Sequence, residues 1–280
     1  MVTIELYYTK TQTHAIEFPT QWSELAQDEV KLIAHSLYDE AITKYDIFIA
    51  LIKNRLLALG VPPHKINTWL RNINREQMAQ EIDNMLAFIK EDIDLTTNQY
   101  PTISIPKNTK TDAMLLHGPQ NNFQNLTCGE YEDAEAYFLT YNQTQDPTDL
   151  LKLVASLYRL PSEKPNHHSN DWKNYNPTTA YTRFENTDPT TIFSTLLFFI
   201  GCRSRLPFTF PLVFLPAENH PTESPESPEN HEIDPMAFTR LVHHGAGLKN
   251  GTRDNIRKML LTEFLFDCQL EAEKSPDIIK

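Results

Sequence analysis

TCGEYEDAEAYFLTY, residues 127–141, decides the fold class. Thr127 followed three residues on by Glu130 is a capping box, in which each side chain satisfies a free backbone N–H of the other residue. Behind it Tyr131, Ala134, Phe138 and Tyr141 recur at three or four residues, the period of a helix face that meets a core. The same grammar runs along the chain and predicts a mainly α protein, a single multi-helix domain over residues 1–280.

Upstream, Leu25, Ala26, Val30, Ile33 and Leu37 predict a helix with Ser23 as its cap. Ile42, Tyr45, Ile49, Ile52, Leu56 and Leu59 predict a second, stopped by Gly60 and Pro62-Pro63. A third starts near Asn74, with Gln77 at capping-box spacing and Met78, Ile82, Met85 and Ile89 on one side. Downstream, Asp146-Pro147, Asp188-Pro189 and Asp234-Pro235 each place a capping carboxylate before a proline at the first helical position. Two closing helices follow, about 235–244 and 253–273. The N-terminus reads differently. Val2, Ile4, Leu6 and Tyr8 alternate and Ala15-Ile16-Glu17-Phe18 follows, which predicts a small β-hairpin over 1–20.

Three stretches lack periodicity. Residues 96–125 are irregular, with one extended piece at Thr102–Ile105. Residues 161–187 form a loose loop rich in Asn, Thr and Pro. Residues 216–232 hold four prolines and five glutamates without Lys or Arg, and read as an acidic loop.

Composition excludes whole classes of function. The 280 residues carry 25 Lys+Arg against 37 Asp+Glu, a formal charge of −12, so no basic face for nucleic acid is expected. The most apolar run, Ile192–Cys202, falls well short of the ~20 residues a bilayer span needs, and reads as a buried helix. Cys128, Cys202 and Cys268 are odd in number and widely spaced, which fits reduced thiols in a cytoplasm rather than a disulfide framework. The first residues lack a basic, then apolar, signal pattern.

No motif commits the chain to catalysis. Gly245-Ala246-Gly247-Leu248-Lys249-Asn250-Gly251-Thr252 comes near a dinucleotide fingerprint, but its third glycine is one residue late and it follows a helical pattern. It reads as a helix end, a turn at Asn250-Gly251 and a Thr252 cap. His231-Glu232 lacks the second histidine of a zincin, and His167-His168, His220 and His243-His244 show no metal-ligand spacing. Cys128 sits in the capping box, Cys202 ends an apolar helix, and no Gly-x-Ser-x-Gly occurs. Glu130, Glu132, Asp133 and Glu135 match what a helix dipole attracts to its N-terminus. No catalytic residue, cofactor or metal is expected.

The candidate interface is Arg203 and Arg205, flanked by apolar sequence, with Phe208, Phe210 and Phe214 of the run FTFPLVF. Arginine and aromatics are enriched at interface centres, although burial in a core is the commoner fate of such a run.

Several patches in a fixed order carry a resemblance. They are the Phe18–Leu25 opening with Trp22, Leu126–Glu135, Asp149–Arg159 and the helix opened by Asn250-Gly251-Thr252. This ordering resembles uncharacterised proteins of Bacteroidota prophages and phage-tail-like particles, some of tail structural or assembly type. The resemblance implies a non-enzymatic structural adaptor or assembly chaperone in the host cytoplasm or the virion. It also implies partners that are other phage or tail-particle proteins, or a second copy. The loop at 216–232 departs from that pattern and adds a partner-binding element. The competing expectations are a metal-dependent hydrolase built on the histidines and acidic residues, and an acidic mimic of nucleic acid that blocks a host defence.

Overall fold

A computed structural model describes residues 1–9, 12–39, 41–71, 75–89, 93–106, 113–159, 180–214, 237–245 and 251–274. The protein is mainly α-helical with a β-hairpin at its N-terminus. It packs as two compact units: Met1–Gln99 with Asp188–Ser204, and Tyr100–Thr187 with Arg205–Lys280. No shift in composition marks that division.

In the first unit, β1 (Val2–Thr9) pairs antiparallel with β2 (Gln12–Phe18), setting Ile4 opposite Ile16 and Val2 opposite Phe18. Alternation sends Ile16 and Phe18 into the core, where the Phe18 ring meets that of Phe48 at 5.3 Å. Four helices follow: α1 (Gln27–Tyr38), α2 (Lys44–Ala58), α3 (Pro63–Arg71) and α4 (Arg75–Met85). Val30 and Ile33 of α1, Phe48, Leu51, Ile52 and Leu56 of α2, Ile66 of α3 and Ile82 of α4 are buried together.

Two local readings need correction. Ser23 does not cap α1. It lies in a 3-10 turn, Trp22–Glu24, that buries Trp22 and lets its indole N–H donate to Phe88 O at 3.0 Å. The helix starts at Gln27, and the cap works backwards: Ala26 N–H donates to the Glu29 carboxylate at 2.8 Å. Glu29 is itself buried and held by Arg55 at 2.7 Å, so tertiary pairing chooses the start. The second correction is α3, which the sequence reading passed over. Gly60, at φ +75, ends α2 as expected, but Pro63 then opens a helix where its missing N–H costs nothing. The Asn74 cap lies outside the described residues.

The apolar run forms α7 (Pro189–Thr209), opened by Asp188, whose carboxylate accepts from Thr190 N–H at 3.0 Å. Its residues up to Ser204 belong to the first unit. There Gly201 lies against the extended segment 93–99, so close that a Cβ would stand 2.3 Å from Leu95 O. Cys202 Sγ reaches Thr96 O, and Ser204 Oγ donates to Ile93 O at 3.2 Å. No helix among the described residues is long and apolar enough to cross a membrane.

In the second unit, the extended piece at 102–105 gains a partner: β3 (Thr102–Pro106) pairs antiparallel with β4 (Ala113–His117). Ile103, Ile105 and Leu116 face inward. The expected capping box starts α5 (Cys128–Thr144), with Thr127 accepting from Glu130 N–H and the Glu130 carboxylate accepting from Thr127 N–H at 2.9 Å. Gln145, left-handed at φ 55, closes α5, and the Asp146 carboxylate caps α6 (Pro147–Leu157) by accepting from Thr148 N–H. That N–H also holds the Asp146 carboxyl below its ordinary pKa.

The loose loop at 161–187 is only partly outside the described residues. From Ala180 onward it is built: a 3-10 turn, Tyr181–Phe184, buries Phe184 beside Tyr158. Lys152 of α6 pairs with Asp149 at 3.0 Å and lies 5.7 Å from the ring centres of Tyr137 and Tyr181, tying that turn to both helices.

After α8 (Ala237–Gly245), the single closing helix expected over 253–273 is two: α9 (Arg253–Lys258) and α10 (Leu261–Lys274). The break has a cause. Leu260 bridges Thr127, Met259 O accepts from Cys128 N–H at 3.0 Å, and Leu261 N–H donates to Leu126 O at 2.8 Å. These bonds cap α5 with backbone from far along the chain. Thr252 caps α9 as expected, accepting from Asn255 N–H, and the preceding α8 is helix rather than strand, contrary to a dinucleotide site. The 216–232 loop, Asp234-Pro235 and residues 246–250 lie outside the described residues.

Candidate functional site

Two places gather chemistry-bearing side chains. The first is the start of α5. Capping pulls Glu130 inward, where it is 1% exposed, and Arg159 Nε stands 3.3 Å from its carboxylate. Arg159 is itself 2% exposed. Its backbone bridges His117 in both directions, and its guanidinium also donates to Ala155 O at 2.9 Å. On the neighbouring face, Glu132 receives Arg253 at 2.7 Å and also Arg257. Arg257 spans the two carboxylates: Nη1 donates to Glu132, and Nη2 lies 3.0 Å from both oxygens of Asp133. Gly129 makes this approach possible, since a Cβ there would touch Arg257 O at 3.0 Å.

The helix dipole accounts for Glu130, but Glu132 and Asp133 answer chiefly to arginines over 100 positions away. Nothing in the local sequence signals Arg253 or Arg257 as their partners. Carboxylates held this way are acceptors fixed by charge-assisted hydrogen bonds from two guanidiniums, an arrangement that joins α9 to α5. Burial raises the Asp133 pKa above its ordinary value, and that outweighs the opposing pull of Arg257. A pKa raised on folding means the group adds stability at low pH and loses it as pH climbs through the folded value. Asp133→Asn is therefore expected to become more stable relative to the parent as pH rises through the raised folded-state pKa of Asp133. Urea unfolding of both proteins at several pH values checks this, and a stability of the Asn variant relative to the parent that falls as pH rises would refute it.

Cys128 is buried and its thiol pKa is raised by that burial, while burial raises Cys268 to about 11. Both are poor nucleophiles at neutral pH. His243 and His244 are exposed at the end of α8, and the remaining histidines named above fall outside the described residues. Among the described residues no group of three or more His, Cys, Asp or Glu is placed to hold a metal ion.

The second place is the candidate interface at the end of α7. Arg203 is half-buried and Arg205 exposed. Leu206 and Phe210 are both 6% exposed and anchor the segment in the core, whereas Phe208 between them is 82% exposed. Phe214 is half-buried. The run thus divides: Phe210 is core, and Phe208 stands out into solvent with Arg205 one turn before it. Beyond the helix, Leu212 N–H donates to Gln269 of α10 at 3.0 Å, which fixes the turn that follows.

No family model matches the chain, and neither a curated protein nor a solved structure matches it.

Proposed function

We propose that the protein works through protein–protein contact, as a structural or assembly component of a phage tail or tail-like particle. The observation that carries the reading is Phe208. Its ring is 82% exposed on a segment whose neighbours Leu206 and Phe210 are buried, so the ring is held outward by a fixed backbone. Covering a phenylalanine stabilises a complex by about 1.5–3 kcal/mol, and rigid aromatics beside arginine are typical interface anchors. The order of the packing patches along the sequence supports the phage setting.

The test is Phe208→Ala in the producing cells. The wild-type chain is expected to travel with a tail or head component through size exclusion, and the variant to bind that component ~30-fold more weakly, about 2 kcal/mol. Its melting temperature should match the parent, because the ring contributes little to the core. If the wild-type chain never travels with any such component, the reading fails. No specific observation favours the metal-dependent hydrolase or the nucleic-acid mimic.

A further inference from the structure

We draw no further inference here: the strongest candidate, the exposed surface patch around Phe208 at the end of α7, carries nothing beyond the contact reading above, because nothing in the structure shows what covers it.

Discussion

Arg159→Met is expected to lower the unfolding free energy by about 3–5 kcal/mol at neutral pH, because it leaves a carboxylate charge in the core without its guanidinium. Glu130 is 1% exposed and Arg159 2%, so neither group has water to turn to. The methionine fills much of the arginine stem's volume, so the loss reports the charge and its hydrogen bonds rather than a cavity. The pairing also organises the surroundings: Arg159 holds Ala155 O, and its backbone bridges His117 at the end of β4. A double variant separates these contributions. Glu130→Gln keeps an oxygen to accept from Thr127 N–H, and so preserves the cap while removing the charge. Glu130→Gln with Arg159→Met should therefore recover a large part of the loss, since an uncharged buried pair is often nearly neutral. The measurement is the urea midpoint of each variant. An Arg159→Met chain within about 1 kcal/mol of the parent would show that the pair does not hold this region together.

Gly201→Ala is expected to cost about 2–3 kcal/mol, although alanine in a helix interior normally gains about 1 kcal/mol over glycine. The opposed signs make the experiment decisive. A Cβ at 201 would stand 2.3 Å from Leu95 O, 2.6 Å from Leu95 N and 2.7 Å from Leu95 C. Those are backbone atoms, which have no rotamer with which to move aside. To admit the methyl, α7 must withdraw from segment 93–99 and weaken the Cys202 and Ser204 contacts to Thr96 and Ile93. Leu95 and Leu197, both buried in that core, would lose packing with it. Ser204→Ala is the control, expected to cost no more than about 1 kcal/mol for one exposed hydrogen bond. Helix propensity winning, with Gly201→Ala more stable than the parent, would refute the close approach.

Legibility followed the range of the interaction responsible. The Thr127–Glu130 box, the Asp146 and Asp188 caps and Thr252 were read correctly because each acts within one helical turn. Gly60 ended α2 for a similarly local reason, its positive φ. Ser23 misled because the choice of helix start was settled by Arg55, in another helix, holding Glu29. The closing helix divided at Met259-Leu260 because that backbone is needed to bridge the start of α5. The candidate interface was legible as a composition, but its halves were not: only packing made Phe210 core and left Phe208 outside.

By itself, then, the sequence determined the mainly helical class, the N-terminal hairpin and most caps, since hydrophobic period and capping are encoded within a few residues. Tertiary structure alone decided which arginine neutralises which buried carboxylate, where α7 touches backbone without a side chain between, and which phenylalanine meets water. Those outcomes depend on residues distant in sequence sharing one dry space, where a charge must find its counter-charge and volume admits a single arrangement.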